Sequence, residues 1–310
     1  MLRQLAHYCG ATALALSMHQ HLVAATIWRY KQGQPAEALL RKVAANQLVL
    51  VSTGAGDCLA SNGTMEKTEG GYWVTAEKHF ASQSPVGDIL ISSARYHDPE
   101  KGPQVLHFPV PFSAEGLTVR NDWDTLGMRG TGSHTVALNQ VFVPDSAVSV
   151  TRPPGEFHPV WNVVLTVAMP LIMAAYVGIA ERASHIALAQ ARKDTQTAYL
   201  LGEMQNCLTT AQVLWRDMVR ITNEFDFTPV NTNGSAMLTR KTLVANACIN
   251  TVNKAMEVTG GKSFYRKIEL ERMFRDIQGA PFHPLPEKTQ QYFTGYFAQH
   301  NVFPREQITG

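Results

Sequence analysis

Between about residues 47 and 150 the chain is a series of short strand-like segments, with no helical segment between them. Val, Ile, Thr and aromatic residues alternate with polar ones, and Gly, Pro, Asn and Asp separate the runs. The predicted strands span residues 63–68, 72–80, 88–96, 104–110, 117–123 and 135–143. The glycine pair Gly70-Gly71 predicts a hairpin between the first two. Because parallel neighbours need long crossovers, these short connections predict an antiparallel barrel or sandwich rather than a doubly wound sheet.

Helical patterns flank this region on both sides. Residues 1–47 are predicted to be helical, with a second short helix at 36–45, and the pattern starts at Met1 without an N-cap. After Pro153-Pro154-Gly155, helices are predicted at about 164–193, 197–224, 236–259 and 287–299. Ser235 is a candidate N-cap and Gly260 a candidate C-cap. The fold class is therefore α+β multidomain: a partial N-terminal helical domain (1–47), a β-domain (48–152) and a C-terminal four-helix bundle (153–310).

Charge and cysteine content exclude several classes of function. The 310 residues carry a formal net charge of +2 and include only short basic clusters, so we expect no nucleic-acid partner. The four cysteines never form Cys-x-x-Cys, which argues against a zinc site and against a disulfide framework. His19 and His21 are two residues apart, whereas a metal pair on one helix face needs a spacing of four. We predict no metal and, in the absence of a signal-like N-terminus, a cytoplasmic protein.

One apolar run, residues 163–180, has about the minimum length for a membrane span. Pro170 interrupts this run, and Glu181, Arg182 and His185 continue it with polar side chains. We therefore predict a helix that is buried inside the bundle and no membrane span.

Three motifs carry a resemblance to a known family. Gly260-Gly261 is followed by a stretch ending in Arg275-Asp276 and then by Phe282-His283-Pro284. A Leu-Gly-Met-Arg turn at 126–129 and Val-Phe-Val-Pro at 141–144 lie within the strand region. Together with the order helices, β-domain, bundle, these motifs resemble the acyl-CoA dehydrogenase superfamily over nearly the whole chain. Relative to that family the chain looks short at its N-terminus. The resemblance implies a flavin-dependent oxidoreductase.

The resemblance also implies residues that bind the cofactor. Phe80 would cover the flavin ring and Ser82 would bond its N5 atom; the alternative is that Phe80 is an ordinary residue of the sheet core and Ser82 a turn residue. Ser52 and Thr53, in the altered loop 51–57, would contact the pyrimidine. Gly260 and Gly261 would meet the dinucleotide across a subunit interface. The family's Arg-x-x-Phe-Gly phosphate grip is missing after Asp194, so the implied cofactor is FAD with FMN possible.

The catalytic base of the family is missing from both of its usual positions. These correspond to Pro284 and to the neighbourhood of Ala168, and neither offers the carboxylate that removes an α-proton. Glu287, three residues beyond Pro284, is one candidate replacement. His283 is another, because similar two-component flavin monooxygenases keep a histidine near this turn. His19 is a third candidate, on a helix expected to line the pocket.

Three functions remain open at this stage. The first is an acyl-CoA-dehydrogenase-type oxidoreductase acting on CH–CH groups of an acyl-CoA-like substrate. The second is a two-component monooxygenase that uses reduced flavin and O2 on an aromatic or polycyclic substrate. The third is a non-catalytic member that binds a ligand or serves assembly. Apolar residues on several faces of the predicted bundle helices favour a homotetramer, and a flavin reductase or an electron-transfer flavoprotein is the expected protein partner.

Overall fold

The computed structural model describes residues 1–53 and 59–305. Its N-terminal segment consists of α1 (Leu2–Ala6), α2 (Gly10–Lys31) and α3 (Glu37–Asn46). Met1 precedes α1 without a side-chain cap, as predicted. The first predicted helix divides at Cys9, which adopts extended backbone angles and accepts the backbone N–H of Thr12 on its Sγ at 3.5 Å. A thiol thus caps α2 where a hydroxyl or carboxylate is more usual.

The middle of the chain forms one eight-stranded sheet. Its strands are β1 (Leu50–Ser52), β2 (Thr64–Thr68), β3 (Gly71–Ala81), β4 (Ile89–Asp98), β5 (Gly102–Pro111), β6 (Leu117–Val119), β7 (His134–Pro144) and β8 (Val150–Arg152). The order is β6-β7-β3-β2-β4-β5-β8, with β1 on β4. The β2–β3 hairpin is antiparallel, as predicted, whereas β1 and β2 each pair with β4 in parallel. The predicted α+β fold class is confirmed.

Strand β6 is shorter than predicted and ends at Val119. Beyond it, the backbone N–H groups of Asp122 and Trp123 both donate to Nδ1 of His134, at 3.1 and 3.0 Å. These amides are therefore turned away from the strand ladder, and residues 120–123 form a loop. Trp123 in turn donates from its indole N–H to the carbonyl of Met128 at 3.2 Å, which folds the loop onto the 126–129 turn.

The C-terminal part is a bundle of α4 (Pro159–Gln190), α5 (Thr195–Thr222), α6 (Asn231–Thr259) and α8 (Glu287–His300), with the short α7 (Leu270–Ile277) before the last helix. Helix α4 starts earlier than predicted because His158 Nδ1 accepts from Val160 N at 3.2 Å and Pro159 occupies the first turn. The cap predicted at Ser235 is wrong, since Ser235 lies inside α6. Asn162 fixes the earlier start by donating to the carbonyl of Pro229 and to Asn231, at 3.2 and 2.9 Å.

Helix α4 is the centre of the bundle. By length and composition it could cross a membrane, but 89% of its most apolar 18-residue window is buried by the rest of the protein. Pro170 lies within the helix without ending it, and its carbonyl accepts the indole N–H of Trp215 at 2.9 Å. Burial by α1, α2, α5 and α6 accounts for the apolar run as a core helix.

Helix α7 fastens the bundle to the sheet. The buried carboxylate of Asp276 accepts from the backbone N–H of Met128 at 2.6 Å. Gly127 lies so close to α7 that a Cβ at this position would be 2.1 Å from the carbonyl oxygen of Arg275. Arg275 pairs with Glu271 inside α7 at 2.9 Å and donates to the carbonyl of Leu126 at 3.3 Å, so Arg275 and Asp276 each contact the turn.

Candidate functional site

His283 lies in the loop between α7 and α8 and reaches α4. Its Nε2 is 2.7 Å from the hydroxyl of Tyr176, which is completely buried near the middle of that helix. The two rings are tilted, with centroids 5.3 Å apart. Gly279 makes this approach possible, because a Cβ there would lie 2.9 Å from the Tyr176 hydroxyl. Among the residues that the structure describes, this is the one hydrogen bond of the imidazole, and it ties the ring to the core of the bundle.

The surroundings keep both partners uncharged. Burial, together with the nearby Asp276 and Cys248, raises the pKa of Tyr176 well above its usual value. Burial and then the cation of Lys241 lower the pKa of His283 to about 3. Because the Tyr176 phenol stays protonated, its O–H donates the hydrogen bond and Nε2 of His283 accepts it.

Lys241 on α6 holds the same loop from the other side. Its ammonium group is completely buried and donates to the carbonyls of Pro281 and Leu285, at 3.1 and 2.8 Å. These two residues lie two positions before and two positions after His283. Burial lowers the pKa of Lys241 to about 8, while the carboxylate of Glu287 acts in the opposite direction. Lys241 is thus mainly protonated at neutral pH and ties the loop to the bundle.

Glu287, predicted as an alternative base, occupies the first turn of α8. Its Oε2 accepts from the amide of Asn246 at 3.2 Å, and its Oε1 accepts from Gln291 at 2.9 Å. Both carboxylate oxygens therefore have partners on the bundle helices. A negative charge in the first turn is also favoured by the helix dipole.

His19, the third predicted catalytic residue, joins α2 to the sheet. Its Nδ1 accepts the backbone N–H of Leu50 at 3.0 Å, and partial burial lowers its pKa. His21 is buried nearby, with an Nδ1 that has no hydrogen-bond partner and a pKa lowered to about 4 by burial. The backbone bond to β1 places His19 next to the strand that ends in Ser52.

Phe80 projects from the sheet at a β-bulge. The register of β3 against β7 shifts between Lys78 and Ala81, and Phe80 has a positive φ of 59°. Its side chain is 59% exposed and meets Trp123 edge to face, with centroids 6.1 Å apart. A large aromatic ring held open to solvent on a strained backbone position is an unusual feature in a sheet, and it is not the ordinary core residue that was the alternative.

Ser82 begins a chain of buried hydroxyls. Its Oγ is 2.8 Å from Ser133 Oγ, which is 2.7 Å from Thr131 Oγ1. The Thr131 hydroxyl donates to the carbonyl of Met128 at 2.9 Å. Since each hydroxyl has one proton, Ser133 donates to Thr131 and Ser82 donates to Ser133. Ser82 is left with only lone pairs to offer a further partner.

Ser52 ends β1 beside β4, and Thr53 follows it. Ser52 is the last residue of that strand, opposite Ile91. Thr53 is buried and uses its hydroxyl within the sheet, toward the carbonyl of Ile91 at 3.2 Å and Ser92 Oγ at 3.0 Å. The rest of the predicted glycine loop, residues 54–57, lies outside the described residues.

Gly260 ends α6 as its C-cap, as predicted, with a positive φ of 65°. Side chains at Gly260 or Gly261 would meet open space. Lys241 and Gly260 are 19 residues apart on the same helix, which corresponds to about 28 Å at the α-helical rise. The glycine pair is therefore remote from His283 within one chain.

Residues that hold the two groups of predicted site residues lie side by side at Gly279. A Cβ at this glycine would be 2.9 Å from the Tyr176 hydroxyl and 3.5 Å from Met128 Cγ. Met128 ends the hydroxyl chain from Ser82, and Tyr176 holds His283. The residues that support the sheet-side and the bundle-side candidates are therefore neighbours where the 126–129 turn touches the bundle. A cavity of about 480 Å³ lies elsewhere, between the start of α1 and helices α4 and α5, and contains none of the predicted site residues.

Tyr176 and Lys241 were not identified from the sequence. Each carries its polar atom into an apolar part of the bundle, which is unusual for these residue types unless a partner is present. A polar residue within an apolar helix face was therefore the available sequence signal. It does not reveal that Tyr176 and Lys241 both bond to the loop around His283.

Comparison with known proteins identifies the family. Residues 52–141 match the model of the acyl-CoA dehydrogenase middle domain, and residues 166–286 match that of the acyl-CoA dehydrogenase C-terminal domain. The chain belongs to the acyl-CoA dehydrogenase superfamily. The two matches cover most of the sheet and most of the bundle, including Ser82, Tyr176 and His283.

Relatives in this superfamily carry out different reactions. Amino sugar nitrososynthase DnmZ of Streptomyces peucetius is 25% identical over 300 residues, 89% of this chain and 72% of that protein. Cyclohex-1-ene-1-carbonyl-CoA dehydrogenase of Geobacter metallireducens is 24% identical over 299 residues, 90% of this chain and 76% of that protein. Dibenzothiophene monooxygenase of Rhodococcus erythropolis is 24% identical over 246 residues, 69% of this chain and 58% of that protein.

A solved structure has the same fold. KijD3, crystallised with FMN and dTDP-3-amino-2,3,6-trideoxy-4-keto-3-methyl-D-glucose, superposes with a TM-score of 0.84 at 22% identity, over 96% of this chain and 78% of that chain. The acyl-CoA dehydrogenase architecture predicted from the sequence is therefore confirmed.

Proposed function

We propose that this protein is a flavin-dependent monooxygenase, which uses reduced flavin and dioxygen to oxygenate a small organic substrate. The observation that carries the proposal is the residue at the α7–α8 loop. A neutral imidazole, His283, is held there by Tyr176 at 2.7 Å, and the following residue is Pro284 rather than a carboxylic acid. Dehydrogenation of an acyl thioester needs a base of carboxylate type, whereas oxygenation does not.

The sheet-side residues fit a flat redox cofactor. Phe80 offers an exposed aromatic face, and Ser82 next to it offers an oxygen that can only accept a hydrogen bond. Phe80 and Ser82 would hold the ring of a bound FMN or FAD, and Gly260 and Gly261 would meet a dinucleotide from a neighbouring subunit. The flavin, when reduced and bound, supplies the electrons that activate dioxygen. An acceptor at Ser82 matches reduced flavin, whose N5 carries a proton.

His283 would act on the substrate side. Because its pKa is lowered to about 3, the imidazole stays neutral throughout the physiological range. Lys241 keeps the loop in place through two backbone carbonyls. A fixed neutral imidazole can orient a polar group of the substrate without introducing a charge.

The known relatives support this choice. A nitrososynthase and a dibenzothiophene monooxygenase are among the similar curated proteins, and a structural neighbour was solved with FMN. Reduced flavin would then come from a separate flavin reductase, which makes the system two-component. Ser52, Thr53 and His19 remain candidates for the far side of the same site.

Dehydrogenation of an acyl-CoA-like substrate is the second candidate, because Glu287 lies close to the same loop. Its carboxylate influences the pKa of Lys241, whose ammonium binds the carbonyl of Leu285. Release of Glu287 from Asn246 and Gln291 would provide a base. An electron-transfer flavoprotein would then accept the electrons.

The decisive experiment supplies the protein with FMN or FAD, a flavin reductase, NADH and ¹⁸O2, together with a panel of aromatic, sulfur-containing and amino substrates. Incorporation of ¹⁸O into a product that His283→Ala no longer forms, with reduced-flavin binding retained, is the expected result. Glu287→Gln serves as the matched control and should keep the activity. Oxidation of acyl-CoA substrates without oxygen, abolished by Glu287→Gln and not by His283→Ala, would replace the proposal with the dehydrogenase reading.

Self-assembly follows from the bundle surface. Val213 and Val219 on α5 and Leu243 on α6 are 54%, 44% and 47% exposed. Such apolar groups favour burial against another subunit, and we propose a homotetramer in which a neighbour approaches Gly260 and Gly261. Light scattering should give four times the chain mass of 34.2 kDa. A monomer under the same conditions would contradict both the assembly and the role of the glycine pair.

A further inference from the structure

We infer that Tyr176 and Lys241 are positioning residues that fix His283 as a neutral imidazole with its proton on Nδ1, so that His283 donates a hydrogen bond to the substrate and does not act as a general base. The inference rests on the proposed function for the identity of the substrate site. The protonation geometry itself rests on contacts within the chain.

The first contact decides which ring nitrogen carries the proton. The Tyr176 hydroxyl is 2.7 Å from His283 Nε2 and lies in the fully buried part of α4. Within the described chain the phenol has no other hydrogen-bond acceptor, so its proton points to Nε2. A neutral imidazole that accepts on Nε2 must carry its proton on Nδ1.

The second contact decides where the ring stands. Lys241 donates to the carbonyls of Pro281 and Leu285, which lie two positions before and two positions after His283. Two bonds from one ammonium fix the loop backbone on both sides of the histidine. Tyr176 on α4 and Lys241 on α6 therefore hold the ring and the backbone from separate helices of the bundle core.

The charges around the pair favour the same state. Lys241 on α6 disfavours a second positive charge on the imidazole, and Asp276 on α7 disfavours loss of the Tyr176 proton. Cys248 on α6 acts on Tyr176 in the same direction. Glu287 on α8 acts mainly on Lys241, where it favours the ammonium form.

The remaining nitrogen is the one available for chemistry. Nδ1 of His283 has no hydrogen-bond partner among residues 1–53 and 59–305, and it is not shut off from solvent. An N–H at this position suits an oxygen acceptor, such as a carbonyl, a phenolate or a sulfinyl oxygen. It does not suit removal of a substrate proton, because the one basic lone pair of the neutral ring, on Nε2, already accepts the hydrogen bond from Tyr176.

Nitrogen-15 NMR of histidine-labelled protein tests this directly. The His283 signals are identified by their loss in His283→Gln. We expect a proton-bearing Nδ1 and an unprotonated, pyridine-type Nε2 at pH 7. In Tyr176→Phe, which keeps the ring and removes the hydroxyl, the proton should move to Nε2, the site preferred by free imidazole. Tyr199→Phe, at an exposed tyrosine, is the matched control and should leave the spectrum unchanged.

Lys241 has its own comparison. Lys241→Met should broaden or split the His283 signals, because the loop loses both backbone bonds, while Lys241→Arg should retain a single set. A wild-type protein with its proton on Nε2, or a Tyr176→Phe variant with an unchanged Nδ1 proton, would overturn the inference. None of these readouts needs flavin or substrate, so failure of the monooxygenase proposal would leave the NMR result intact, and the reverse also holds.

Discussion

Asp276 and Met128 are joined by a 2.6 Å hydrogen bond from the backbone N–H of Met128 to the buried carboxylate. The bond connects α7 to the turn that precedes β7, across 148 positions of the chain. The turn carries Met128, at the end of the Ser82 hydroxyl chain, and α7 precedes the His283 loop. The Asp276 carboxylate therefore helps to fix the two halves of the candidate site relative to each other, together with the packing of Gly127 against Arg275.

Removal of that carboxylate should destabilise the protein. Asp276→Ala leaves the Met128 amide buried without a partner, and we expect a loss of about 2 kcal/mol in the free energy of unfolding. Chemical denaturation of purified variants measures it. Asp124→Ala, at an exposed ion pair with Arg129 in the same region, is the control and should have little effect. Equal stability of both variants would mean that the bond does not hold the turn.

Phe80 should contribute to flavin binding rather than to folding. Because its ring is 59% exposed, Phe80→Ala should leave the thermal unfolding temperature nearly unchanged. Stacking of a flat ring on an aromatic side chain contributes roughly 1–3 kcal/mol, so the dissociation constant should rise about ten-fold or more. Fluorescence titration with reduced and oxidised FMN measures the change, and Trp73→Ala on the same strand is the control. Unaltered flavin affinity in Phe80→Ala would remove Phe80 from the site.

The orientation of the hydroxyl chain predicts a preference for one redox state. Ser82 donates its proton to Ser133 and so can only accept from a ligand, which favours the N5–H of reduced flavin. We expect wild-type protein to bind reduced FMN more tightly than oxidised FMN, and Ser82→Ala to narrow that ratio by roughly two- to ten-fold, the worth of one hydrogen bond. Anaerobic titrations measure both affinities. Ser84→Ala, whose hydroxyl bonds the Gly132 carbonyl outside the chain, should keep the wild-type ratio.

His283 should make folding sensitive to mild acid. Its pKa is about 3 in the folded protein, below the ordinary value of 6.5, so between these values the unfolded chain binds a proton that the folded chain does not. Stability from this residue is therefore complete above pH 6.5 and falls as the pH drops toward 3. In His283→Gln the loss of unfolding free energy from pH 7 to pH 5 should be smaller by about 1–2 kcal/mol. An identical pH dependence in both proteins would show that His283 titrates normally.

The fold was largely readable because its patterns are local. Alternation in the sheet region and the long apolar periodicities of α4, α5 and α6 predicted the observed element types, and Gly260 marked a true helix end. Strands β1 and β8 were not predicted, because each has three residues, too few to show an alternation of polar and apolar side chains. The start of α6 was misplaced because Asn162, on another helix, fixes it.

The site was less readable because its decisive contacts span long stretches of chain. His283 was a candidate from the sequence, but its partner Tyr176 lies 107 positions away and Lys241 holds carbonyls about 40 positions away. Side-chain to backbone bonds of this kind leave no periodic trace. Residue types alone could not assign a proton to one nitrogen of the ring, since that assignment follows from burial and from a hydroxyl supplied by a different helix.

The bulge near the end of β3 limits which mutations this strand can accept. Between Lys78 and Ala81 the strand gains a residue relative to β7, and this surplus turns the aromatic ring outward while Ser82 stays inside. Deletion of a single residue here would restore the regular pleat and swap the inward and outward neighbours. Insertion or deletion of a residue at this point is therefore much harder to tolerate than substitution.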